Sequence, residues 1–513
     1  MSKFEQVMAA PYTTYPLGAN ARWQRPARKS AAKSPRAAMF LIGNLLFVIV
    51  LAVIDVASGR NGHDPFLYLM VLFAICTLPL LFVRETHGRF SLLVVSCPIL
   101  FVFYGVNDVL TYFMDIESYW RAPDDGLFTG GEVAVLLGLS LWMAGYVLAA
   151  NASHKTQARY LVRDWKTRSL VWVGLVCIAL GIWATWGFQL SSPESRNSQM
   201  GRTVMPLIVL GRMLEPVGVV LLSYAYLKTQ SRTLLMLVLG VAAMKLPLGI
   251  ILNSKEIGIS FLAIFMVTKW LYDGAVPRRW LAIAAMVVVF YFPLAYAYRA
   301  TIGARHLDVA HSMHNLPSLM DKALSLNEKS AGVSSGMRSF AARVDLKSLM
   351  ELIVARTGKG VPFQEGHTFA ELPYVFIPRF IADKPSVSAG QLFNREFHIS
   401  ADPNTYISTS FLGELYWNFS WFGMASGMFA VGLTWGLIGG KANMAQRKSV
   451  TRLLILVSAI YLFAIRFETG IAQQYIVFIR SVAMIFLLHL VFRTRSGEQP
   501  SIRSSVSRVR AFI

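Results

Sequence analysis

Apolar runs of about 20 residues recur along this chain, from "AAMFLIGNLLFVIVLAVIDV" near its start to "YIVFIRSVAMIFLLHLVF" near its end. A helix of that length crosses about 30 Å of hydrocarbon. Hydrocarbon offers no partner to a backbone N–H or C=O, so each run must pair its own backbone, and a helix does this within the segment. The runs predict spans near 39–57, 65–83, 91–114, 131–150, 169–188, 204–227, 233–252, 256–272, 280–298, 410–438, 453–470 and 475–492. The fold class expected is an all-α polytopic membrane protein with about 12 transmembrane helices. Only 15% of the residues are charged, against about 25% in soluble domains.

The net charge of +21 invites a nucleic-acid reading, which its distribution opposes. With the N-terminus in the cytoplasm, about 27 Lys and Arg fall in the cytoplasmic segments and about five in the short loops opposite. That asymmetry sets orientation. It also attracts anionic lipid, so the expected partner is the bilayer and no nucleic acid is expected. Both termini are then cytoplasmic, with residues 1–38 and 493–513 read as basic, disordered tails. The three cysteines lie in apolar runs and read as small buried hydrophobes.

Between spans 39–298 and spans 410–492 lies one long polar segment, 299–409, on the outer side. Its length marks it as functional or disordered, and its pattern favours order. "SSGMRSFAARVDLKSLMELIVAR" predicts an amphipathic helix with Ser334 or Ser335 as N-cap, and "LPSLMDKALSL" predicts a shorter one.

Ionisable residues inside apolar runs cost about 2.5–3.5 kcal/mol each at a helix centre, so they must face protein or water. The set is Arg212, Glu215, Lys245, Arg299, Glu414, Arg466, Glu468 and Arg480. Arg212 and Glu215 share a helix face, which also suits a structural ion pair. The preceding loop adds Arg196 and Arg202, and the long segment adds Arg379 and Lys384. Guanidinium forks bind phosphate bidentately, so arginines gathered at one membrane edge suit a phosphate or pyrophosphate. Some of them also suit headgroup anchoring. The outer histidines lack ligand spacing, and no metal or cofactor is expected.

"FIPRFIADKP" followed by "TSFLGELYWNFSWFG" resembles the Wzy-type polymerases of bacterial O-antigen and exopolysaccharide repeat units. The residues carrying the resemblance are Pro378, Arg379, Lys384, Pro385, Gly413, Glu414, Tyr416, Asn418, Phe419 and Gly423, with Gly390 completing an Arg-x10-Gly pattern. The resemblance implies a metal-independent glycosyltransferase of the inner membrane with a GT-C-like bundle and one large periplasmic loop. Its substrate would be an undecaprenyl-pyrophosphate-linked oligosaccharide, and a chain-length regulator would be a partner. Candidate catalytic residues are Glu414, His367 and Asp383. Arg379, Lys384, Arg196, Arg202, Arg212, Arg299, Asn418 and Tyr416 would bind pyrophosphate or sugar. Glu414 also suits a salt bridge to Arg379 that docks the loop. An O-antigen ligase shares this topology and donor. A lipid-linked oligosaccharide flippase or transporter would instead need charge through both leaflets.

Overall fold

The computed structural model describes residues 65–79, 92–114, 128–153, 165–190, 199–251, 255–273, 277–287, 344–375, 389–400, 405–445 and 450–492, with single positions 50, 291, 295 and 377. The chain divides into units Met1–Ser58 and Gly59–Ile513, and all that follows concerns the second. The described residues are helical with no strand. We number the helices α1 Pro65–Thr77, α2 Leu92–Met114, α3 Gly130–Ser153, α4 Thr167–Leu190, α5 Gln199–Thr229, α6 Arg232–Ile251 and α7 Lys255–Asp273. Then come α8 Leu346–Arg356, α9 Ala389–Phe397, α10 Ser410–Ala445, α11 Val450–Ile460 and α12 Ile471–Phe492.

Among the described residues six helices are long and apolar enough to cross a membrane: α3, α4, α5, α6, α10 and α12. They coincide with six predicted spans. Predicted spans 65–83, 91–114 and 453–470 correspond to shorter apolar helices. The predicted span 256–272 is α7, whose ends carry Lys255, Glu256, Lys269 and Asp273. The predicted span 39–57 lies outside the described residues apart from Val50, and 280–298 lies partly outside them.

Helices in hydrocarbon gain little from hiding apolar surface, so close backbone approach matters more. Helices α3 and α10 achieve it with glycine. A methyl group on Gly145 would strike the backbone of Phe429 and Leu433, and one on Gly432 would strike Trp142. Trp142 and Trp435 stack edge-on beside this contact at 5.8 Å.

Helix α10 is broken. Ser420 has φ 58° and ψ −159°, a left-handed value that costs a side-chain-bearing residue about 1–3 kcal/mol. The break separates a half-helix, residues 410–419, from the longer run that follows. It also folds Phe419 onto Gly423, where a Cβ would overlap the phenylalanine stem.

The described parts of the long polar segment, 344–375 and 389–400, fold against this half-helix. The N-cap of α8 is Asp345, which accepts from the Ser348 N–H at 3.0 Å. The expected cap at Ser334 or Ser335 lies outside the described residues, as does the shorter predicted helix; a helix begins afresh at Leu346 because Asp345 leaves helical geometry (φ −80°, ψ 73°). On α9, Phe393 and Phe397 pack on Trp417 of the half-helix at 5.5 and 5.7 Å.

Candidate functional site: a cationic cavity beside the long polar segment

A cavity of about 650 Å³ opens between α5, α6, α7, α11, α12 and the long polar segment. That volume is typical of ligand sites, about 300–1,000 Å³. Its wall carries four cations, Arg212, Lys245, Arg466 and Arg480, and two carboxylates, Glu215 and Glu371. Five of these six belong to the ionisable residues that the sequence sets inside apolar runs. The sixth, Glu371, comes from the long polar segment.

Four of the six charges are paired, Lys245 with Glu215 and Arg480 with Glu371. Lys245, 1% exposed, bonds through Nζ to Glu215 Oε1 at 2.6 Å. The expected pairing of Glu215 with Arg212 on its own helix is replaced by this pairing between helices. A buried ammonium without a counter-charge would cost several kcal/mol, so the carboxylate goes to it. Arg480 Nη2 donates to Glu371 Oε1 at 3.2 Å, tying the long polar segment to α12. Arg466 follows a wide helical turn, Tyr461–Ile465, and its backbone N–H donates to the Tyr461 carbonyl at 3.2 Å. Such turns recur at functional sites because they re-aim a helix locally. Also on the wall, Tyr406 O–H donates to Gln473 Oε1 at 2.7 Å. Gly390 lies so close to Tyr406 that a Cβ would sit 2.6 Å from the ring.

The motif residues of the half-helix stand behind this wall and are not part of it. Asn418 Oδ1 accepts from the Gly366 N–H at 3.0 Å, and its Nδ2 donates to Thr368 Oγ1 at 2.9 Å. Gln364 and Glu365 N–H groups donate to the carbonyls of Trp417 and Asn418. The 364–368 turn thereby satisfies carbonyls at the end of the half-helix and presents Thr368 to the cavity. Tyr416 packs edge-on to Trp421 at 5.3 Å. Glu414 is fully buried, and its Oε2 accepts from the Ala472 N–H at 3.2 Å. It thus caps the start of α12, where the helix dipole favours a carboxylate. Gly470 permits this approach, since its Cβ would lie 2.7 Å from Glu414 Oε2.

Of the other sequence candidates, Arg212 is on the wall and His367 is an exposed residue of the 367–369 turn, off the wall. Arg202 belongs to the first part of α5. Arg196, Arg299, Arg379, Asp383 and Lys384 lie outside the described residues.

A second charged cluster escaped sequence reasoning. Lys347 of α8 lies 2.9 Å from Asp108 Oδ1, 3.1 Å from Glu132 Oε1 and 3.6 Å from Glu351 Oε1. It also sits 5.2 Å from the centre of the Tyr68 ring. Thr129 and Glu132 form a reciprocal capping box at the start of α3, with both bonds at 3.0 Å. Thr129 also bonds Glu351 at 3.2 Å, and Asn107 donates to Asp345 at 2.8 Å. Burial, opposed by Lys347, pushes the Glu351 carboxyl up to about 7. Burial likewise raises Asp345. Burial pulls the Lys347 ammonium down, but Asp108, Glu351 and Glu132 outweigh it and hold the group above its usual range. The signal was present: Asp108 interrupts an apolar run, and Thr129-x-x-Glu132 precedes another. This cluster fastens α8 to α2 and α3.

Searched against protein-family models, curated proteins and solved structures, the chain matches none.

Proposed function

We propose that this protein is a metal-independent membrane glycosyltransferase that polymerises undecaprenyl-pyrophosphate-linked oligosaccharide repeat units. It works on the periplasmic side of a bacterial inner membrane, within a GT-C-like bundle of about twelve spans whose termini are cytoplasmic. The observation that carries the reading is the gathering of Arg212, Lys245, Arg466 and Arg480 on one cavity wall. With Glu215 and Glu371, the described wall sums to four positive and two negative charges, a net of plus two. A pyrophosphate diester carries two negative charges, so the wall balances the donor. When the sugar departs, the leaving pyrophosphate gains a further negative charge. Fixed cations already in place stabilise that charge without reorganising, and a single such donor is worth about 10²–10³ in rate.

The polymerase reading is favoured over a transporter because the charges line one cavity roofed by the outer segment. The test is purified protein in liposomes supplied with lipid-linked repeat units. Wild type should yield a ladder of polymer lengths. Arg466→Ala should lose most of it, and Arg466→Lys should recover little, because a point charge lacks the planar fork. Transfer to a lipid A core supplied in the same liposomes, with no ladder, would replace the polymerase reading by a ligase.

A further inference from the structure

We infer that Glu215 is the general base that accepts the proton of the attacking sugar hydroxyl. This deepens the polymerase reading and rests on it. Three observations point to Glu215. It lines the cavity, one helical turn from Arg212 on the same wall. Its stem is clamped, because α5 at Glu215 packs on Gly181 of α4, where a Cβ would lie 3.0 Å from Glu215 Cα and closer still to its Cβ. Its Oε1 is pinned by the buried Lys245 Nζ at 2.6 Å. A carboxylate fixed at its stem and at one oxygen presents the other oxygen in a single orientation, which is what proton transfer in a transition state needs.

The other described acids fit less well. Glu414 is off the wall, with one oxygen on the start of α12. Glu371 is on the wall and is held by Arg480 at one oxygen, but it stands at the start of the three-residue turn Leu372–Tyr374 and not within a long helix.

In the step itself the acceptor hydroxyl oxygen forms a bond to the donor's anomeric carbon. The bond from that carbon to the pyrophosphate oxygen breaks, and its electron pair leaves with the lipid pyrophosphate. The hydroxyl proton passes to the second oxygen of Glu215 and then to periplasmic water.

Glu215→Gln in the liposome assay should lower kcat by about 10²–10⁴. KM for the lipid-linked donor should change little. Because the single variant leaves Lys245 buried beside an amide, donor binding and the thermal unfolding midpoint of Glu215→Gln are measured beside its turnover as folding controls. If Glu215 is the base, Glu215→Gln folds and binds the lipid-linked donor as wild type does and remains inactive. If the pair is only structural, turnover falls only in proportion to the folded, donor-binding fraction and the inference is overturned. An active Glu215→Gln enzyme beside an active wild type overturns it too, and leaves the polymerase reading standing. A wild-type protein that makes no polymer overturns that reading and the base assignment with it.

Discussion

Replacing Glu351 with glutamine should stabilise this protein in mild alkali, although it removes a buried charge and a contact to lysine. The reason is the count of charges around Lys347, one ammonium among the carboxylates of Asp108, Glu132 and Glu351, all at most 12% exposed. Glu351 lies farthest from the ammonium and is pushed up to about 7 from an ordinary 4.5. Between those values the folded protein holds a proton that the unfolded chain has released. The stability tied to that proton is fully present below about pH 4.5 and is lost as pH rises through 7. At 1.36 kcal/mol per pH unit the loss sums to about 3 kcal/mol. Asp345 shifts in the same direction. Glutamine cannot ionise, and its carbonyl can still accept from Thr129. Thermal unfolding in detergent should therefore place the Glu351→Gln midpoint a few degrees above wild type at pH 8, and level with it or slightly below at pH 5. Lys347→Met should do the reverse, costing about 3–5 kcal/mol at pH 8 and much less at pH 5. A Glu351→Gln midpoint as far below wild type at pH 8 as at pH 5 would refute the account.

Gly423→Ala should destabilise by about 1–3 kcal/mol, as overpacking does, because the new methyl overlaps Phe419. Gly240→Ala is the matched control, with nothing within 4 Å of its added methyl, and thermal midpoints of the two variants check the difference. Asn418→Leu should leave the Gly366 N–H and the Thr368 hydroxyl oxygen without their partner, and limited proteolysis should then cut the 364–371 turn sooner than in wild type.

Much of this was legible in the sequence because hydrocarbon is a demanding solvent. It forces long helices, and it forces any charge inside them to find company, so Arg212, Glu215, Lys245, Arg466 and Arg480 stood out before their positions were known. Their partners were not legible. Lys245 meets Glu215 across two helices, and Arg480 meets a glutamate more than 100 residues earlier. Neither pairing can be read from spacing along one helix. The break at Ser420 was hidden for a different reason: "NFSWFG" is as apolar as an unbroken span, and the reversal depends on how Phe419 meets Gly423. The motif Gly413 to Gly423 was visible, but not its work. Glu414 and Asn418 serve a helix end and a turn that lie far away in the chain.

The wide turn at Tyr461–Ile465 carries a consequence for how such a chain can vary. It holds one residue more than an ordinary α-helical turn of the same rise, and Tyr461, Leu462 and Arg466 all reach the cavity from it. Deleting any one residue there would let the helix close into regular geometry. Everything downstream would then swing by about 100°, the angle that one residue subtends on a helix of 3.6 residues per turn. Arg466 would leave the cavity with no change to its own codon. Relatives of this protein can thus exchange side chains along α11 while being held to a fixed length, and a shortened version would have to build its cationic wall from another helix.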